Sequence, residues 1–105
     1  MNKPDPSTAL RGLYSLDVEA DGPCPGLYSM LSFGLVSLAD QAQSFYVELQ
    51  PITERFIPQA MARCNFTREQ VMAFAPARDG MDRFAKWLAS QPAADRRVIW
   101  SDNPA

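Results

Sequence analysis

Leu13-Tyr14-Ser15-Leu16-Asp17-Val18-Glu19-Ala20-Asp21-Gly22-Pro23-Cys24-Pro25-Gly26 is the stretch on which the fold turns. Side chains of a strand alternate between its two faces. Tyr14, Leu16 and Val18 therefore share one face, and Ser15, Asp17 and Glu19 share the other. The first set can sink into a core. The second sets two carboxylates on one surface, about 7 Å apart along the strand. Ala20 to Gly26 then predicts a turn, because Gly22 and Gly26 permit positive φ while Pro23 and Pro25 fix theirs.

Downstream of this turn, Met30 to Leu38 is almost continuously apolar, which predicts a strand covered on both faces or deep in a sheet. Gly34 at its middle predicts a bulge or a close backbone approach. A polar loop, Ala39 to Gln43, leads to a third strand, Ser44 to Leu49, stopped by Pro51. Pro58 to Arg63 predicts a single helical turn. Phe66-Thr67-Arg68-Glu69-Gln70-Val71 carries a capping box, with Thr67 as cap, Gln70 as its reciprocal partner and Phe66 stapling onto Val71.

Arg78 to Gln91 predicts the longest helix. Met81, Phe84, Ala85 and Leu88 repeat as a buried stripe, and Asp79–Arg83 and Asp82–Lys86 are i,i+4 pairs on the wet side. Pro92 ends it. Val98-Ile99-Trp100-Ser101 is a fourth strand, expected parallel to an earlier one after the helical crossover. The fold class is α/β: a mixed sheet with an antiparallel three-strand meander, then helices, then a parallel fourth strand. Trp87, Trp100 and the phenylalanines are read as core.

The chain has 105 residues, 47% of them hydrophobic, enough for one small domain with a core. Residues 1–11 are polar, with Pro4 and Pro6 and no apolar signal core, and are expected as a disordered leader; residues 12–105 form the domain. No run approaches the ~20 apolar residues of a membrane span. The expectation is a cytoplasmic protein with no membrane partner. The formal net charge of -2 excludes nucleic-acid binding by a broadly basic face; bound cations or a local arginine patch must supply any such attraction.

Cys24 and Cys64 form no C-x-x-C pair, so there is no zinc motif. Two isolated cysteines fit a reducing compartment, although sequence leaves a disulfide between them open. With no histidine in the chain, nothing is at hand to activate Cys24 as a nucleophile.

Asp17 and Glu19 carry the chemistry. Two carboxylates on one strand face repel unless a cation lies between them, and oxygen donors in an open geometry suit Mg²⁺ or Mn²⁺. A bare D-x-E is also common as a solvated strand end, so the motif counts only with its context. Asp21-Gly22 reads most simply as turn chemistry; its functional alternative is close approach of a substrate strand to the backbone. Arg55, Arg63 and Arg68 are either solvated surface or phosphate contacts.

Leu16-Asp17-Val18-Glu19-Ala20-Asp21-Gly22-Pro23 resembles the first acidic motif of the DnaQ-like (DEDD) 3'-5' exonucleases, which have the ribonuclease H-like fold. Pro25 to Gly34, Phe45 to Ile52, Phe66 to Glu69 and Ile99 to Ala105 resemble further segments of that family in order. The resemblance implies a two-metal exonuclease or exoribonuclease acting at single-stranded RNA or DNA 3' ends. Asp17 and Glu19 would be both catalytic and metal-binding residues. The backbone of Ala20, Asp21 and Gly22 would flank the terminal nucleotide, and Asn103 would contact substrate.

It also implies further acidic motifs beyond Ala105, so the resemblance is to an N-terminal part of the domain, with the C-terminal part of the fold missing. Two functions follow: a metal-dependent nuclease whose site is completed by further residues or a second chain, or a catalytically inactive interaction or nucleic-acid-binding module, for which self-association or a partner chain is expected.

Overall fold

The structure, a computed structural model, describes residues 9–101. Strands β1 (Leu13–Ala20), β2 (Met30–Ser37), β3 (Ser44–Glu48) and β4 (Val98–Ser101) form one sheet in the order β3-β2-β1-β4. β1–β2 and β2–β3 are antiparallel, and β4 lies parallel to β1. Between β3 and β4 come helices α1 (Pro58–Cys64), α2 (Arg68–Met72) and α3 (Ala77–Ser90). The expected meander and parallel return are therefore both present. The leader expectation falls largely on residues 1–8, outside the described residues; residues 9–12 form a turn closed by the Leu13 N–H donating to the Leu10 carbonyl at 3.1 Å.

The strand alternation works as predicted. Tyr14, Phe33, Leu35, Val47 and Leu49 are buried together, with Leu16 and Val18 beside them and α3 packed across this face. Aromatic edges knit the two layers: Tyr14 meets Trp87 at 5.7 Å and 70°, and Phe33 meets Phe84 at 5.2 Å and 90°. Such edge-to-face pairs add specificity beyond area burial.

A second, smaller cluster of Leu31, Met61 and Val71, with Phe66 and Phe74, lies under α1 and α2. Thr67 Oγ1 accepts from the Gln70 N–H at 3.1 Å and Gln70 Oε1 accepts from the Thr67 N–H at 2.8 Å, the predicted capping box.

Several expectations are corrected. The segment from Pro58 is a seven-residue helix, not one turn; Pro58 sits in its first turn and Asn65, at φ 60°, ends it. The buried stripe of α3 is displaced from the predicted one: Met81 is 42% exposed and Ala85 exposed, while Gly80 is buried and Phe84, Trp87 and Leu88 pack on the sheet. Hydrophobic periodicity fixes a helix face only to within a residue or so, and the close approach at Gly80 rotates this one. Among the described residues, neither Asp79–Arg83 nor Asp82–Lys86 closes as an ion pair; the one such pair is Arg68–Asp21. Trp100 is 66% exposed, because its position beside Ser15 puts it on the face opposite α3.

The β2 irregularity is not at Gly34. Glu19 pairs with Ser32 and Ala20 with Met30, so Leu31 is the extra residue. This bulge re-aims side chains: Met30 joins the first core and Leu31 the second.

Glycine matters most at two positions. A Cβ on Gly80 would overlap the Leu49 side chain and lie 3.2 Å from Val47 Cγ2, so α3 sits closer to β3 than any side chain allows. A Cβ on Gly22 would collide with the Tyr28 ring; Gly22 is required by that ring and not by a positive φ, which only Gly12 and Gly26 show among the described glycines.

Gly→Ala in a helix interior ordinarily gains about 1 kcal/mol. At position 80 overpacking outweighs that gain. Gly80→Ala is expected to lower stability by about 1–3 kcal/mol in denaturant unfolding; an unchanged or raised midpoint would show that α3 does not pack as described.

Candidate metal centre on the open face of the sheet

The face of the sheet opposite α3 is a groove of about 610 Å³, lined among others by Ser15, Asp17, Glu19, Gly34, Tyr46 and Cys64. Strand register dictates its layout. One row across β1, β2 and β3 reads Asp17, Gly34, Tyr46; the next reads Glu19, Ser32, Glu48. Asp17 is exposed and Glu19 half-buried. Because Gly34 has no side chain, the surface beside Asp17 is bare backbone.

Glu19 makes itself felt through Cys64 at the end of α1. Burial pushes the Cys64 thiol up to about 11, reinforced by a hydrogen bond to Glu19 and by its charge. The thiol also donates to the Ala20 carbonyl at 3.4 Å. The metal-free Cys64 thiol is therefore held in its protonated form. Both cysteines are free. Tyr46 donates to Glu48 Oε2 at 3.3 Å. Its phenol is raised by burial, and further by Glu48 and Glu19, with a hydrogen bond to Ser32 opposing.

Asp21 has a different place. It is fully buried, and its carboxylate accepts from the Ser29 N–H at 2.6 Å and from Arg68 Nη1 at 2.8 Å. Its own N–H donates to the Ser29 carbonyl and its carbonyl accepts from the Ile57 N–H. Arg68 further donates to the Thr53 carbonyl and stacks over Phe56 at 4.5 Å.

The structure thus brings Asp17 and Glu19 together in the groove. Ala20, Asp21 and Gly22 follow at the end of β1: the Ala20 carbonyl accepts from Cys64, Asp21 is committed inside the fold, and Gly22 lies against the Tyr28 ring. Asn103 lies outside the described residues. Among the described residues no group of three or more His, Cys, Asp and Glu side chains converges on one point. The pair fits a hard divalent cation in donor type, and fills only part of its coordination shell.

Sequence reading missed Tyr46 and Glu48, which the period-two alternation of β3 places beside Gly34 and Ser32. It also missed the assignment of Arg68 to Asp21, which no local pattern reports.

The chain is 39% identical over 88 residues to the 3'-5' DNA exonuclease Cap18 of Escherichia coli. The chain matches part of a DnaQ-like exonuclease. The matched stretch is 82% of this chain and 46% of Cap18, so the chain spans about half the length of that relative. No family model matches.

Among solved structures, cell-death related nuclease 4 superimposes with a TM-score of 0.69 at 11% identity, covering 89% of this chain and 36% of that one. The nuclease domain of 3'hExo, a DEDDh family member bound to rAMP, gives 0.64 at 16% identity, covering 87% and 51%. At these identities the likeness speaks to fold, and the fold is the ribonuclease H-like mixed sheet of DnaQ-like exonucleases.

Two outcomes test this geometry. Asp21→Asn leaves the Arg68 charge unmatched; breaking a buried pair costs about 3–5 kcal/mol, and the quarter-exposed Arg68 side chain sets the expected loss at the lower end, read by denaturant unfolding. Alkylation followed by mass spectrometry should modify the exposed Cys24 ahead of Cys64, whose thiol is pushed up to about 11. Glu19→Gln removes a charge that holds the proton on Cys64, so its alkylation onset should move to lower pH. An unmoved onset would mean that Glu19 does not face α1.

Proposed function

We propose that this chain carries part of the catalytic face of a divalent-metal-dependent 3'-5' exonuclease acting on single-stranded DNA or RNA ends. The observation that supports this most directly is the placement of Asp17 and Glu19 on the one sheet face that α3 leaves open, beside the bare backbone of Gly34. The 39% identity to a DNA exonuclease favours DNA as the first substrate to try. Asp17 and Glu19 would hold Mg²⁺ or Mn²⁺, which when bound supplies Lewis-acid chemistry for phosphodiester hydrolysis.

The residues' own contributions are separable. Asp17, the more exposed of the two, faces the incoming phosphodiester. Glu19, backed by the neutral Cys64, keeps an acidic oxygen at the closed end of the groove. The Ala20–Gly22 backbone flanks the terminal nucleotide, and Asn103 contacts it. The remaining acidic ligands come from residues other than those described or from a second chain. A cytoplasmic setting, with both thiols kept reduced, belongs to the same reading.

A second reading, an inactive interaction or nucleic-acid-binding module, draws on the incomplete ligand set among the described residues.

A 5'-labelled single-stranded oligonucleotide, DNA or RNA, incubated in Mn²⁺ with the chain together with whatever supplies the remaining acidic ligands should shorten stepwise from its 3' end. Loss of outer partners of a metal site costs about 10–100-fold, so removing a direct ligand by Asp17→Asn should cost at least as much. Binding without shortening, unaffected by Asp17→Asn, would favour the inactive module.

A further inference from the structure

Asp17 sits in a regular stretch of the β1–β2 ladder, opposite Gly34, whereas the register shifts directly after Glu19. A bulge disrupts the ladder locally, so pairing alone holds Glu19 less firmly than Asp17. Helix α1 supplies what the ladder lacks. Its Met61 is buried in one cluster with Leu31, the extra residue of the bulge. Cys64 lies three residues on, along the same helix face. The Cys64 thiol donates to the Ala20 carbonyl at 3.4 Å, and the Glu19 carboxylate is the second acceptor within its reach. At the other end of α1, the Ile57 N–H donates to the Asp21 carbonyl at 2.8 Å. One short helix thus grips residues 19–21 from both its ends, through contacts that rely on no open surface.

The groups around Glu19 single out the thiol. From the sheet come Tyr46, Ser32 and Glu48, and the Tyr46 hydroxyl donates to Glu48. From α1 come Cys64 and the exposed Arg63, which bears on the thiol through its charge. A half-buried carboxylate is costly without a donor. A free cysteine with only a packing role is a small apolar group that valine can replace. Resting on the proposed nuclease reading, we propose that Cys64 is a positioning residue: its S–H holds the Ala20 backbone and aims the Glu19 carboxylate at the cation shared with Asp17. It acts as an outer partner that orients a ligand.

Mn²⁺ is titrated into the full chain. Affinity is read from the free-ion electron paramagnetic resonance signal, and location from broadening of backbone amides. Cys64→Val keeps an apolar side chain of similar size and removes the donor. Loss of an outer partner costs about 10–100-fold, so this variant should bind Mn²⁺ about tenfold more weakly. Cys64→Ser keeps a donor and should retain the wild-type affinity. Cys64→Ala is a second donor-free variant, free of branching at Cβ, and should behave as Cys64→Val does. Circular dichroism checks each variant's fold. A packing role alone predicts the opposite order, with Cys64→Val at wild-type affinity and Cys64→Ser the weaker. Donor-free variants that bind as the wild type does, or a Cys64→Ser as weak as Cys64→Val, would overturn the positioning role while leaving the nuclease reading standing. A wild-type chain in which Mn²⁺ broadens nothing at residues 17–19 overturns both.

Discussion

The buried pair between Asp21 and Arg68 is the interaction on which the site's architecture depends. β1 delivers Asp17 and Glu19 to the open face, and the chain must then leave the sheet at once. It does so at Asp21, whose every polar group is used: two contacts to Ser29, one to Ile57 and one to Arg68. Ser29 in turn accepts from the Ile52 N–H at 2.8 Å, and Arg68 from α2 reaches the Thr53 carbonyl. One carboxylate thereby ties the 21–29 loop, the 52–57 loop and α2 to the end of β1. A buried charge is tolerated only when partnered, so the pair is a strong constraint on register as well as a contact.

This arrangement also divides the acids by role. Asp21 is neutralised inside the fold. Asp17, Glu19 and Glu48 are left on one face, in a chain whose formal net charge is already -2. Such a face repels a bare phosphate chain. Cations must accompany any nucleic acid that enters, which is the electrostatic counterpart of the donor chemistry of Asp17 and Glu19.

Much of this is legible in the sequence. Period-two alternation assigned the faces of β1, and turn chemistry and capping residues delimited β2, β3 and α2. What escaped shares a cause: it depends on contacts between distant segments. The α3 stripe was misphased because Gly80 lets the helix settle against Val47 and Leu49, and a glycine carries no hydrophobic signal. Trp100 is apolar enough to be read as core, yet strand parity places it on the groove side. Arg68 and Asp21 are 47 positions apart, with no pattern linking them. Tyr46 lay within a recognised strand, and became a site residue only once register set it opposite Gly34 and Asp17.

The central claim is that Asp17 and Glu19 form a cation-binding pair on the open face of β1. Titration of the isotopically labelled chain with Mn²⁺, followed by paramagnetic broadening of backbone amides, tests it most directly. The account predicts that broadening starts at residues 17–19 and at their cross-strand neighbours Ser32 and Gly34, leaves α3 sharp, and disappears in Asp17→Ala. Broadening centred elsewhere, or none at all, would contradict it.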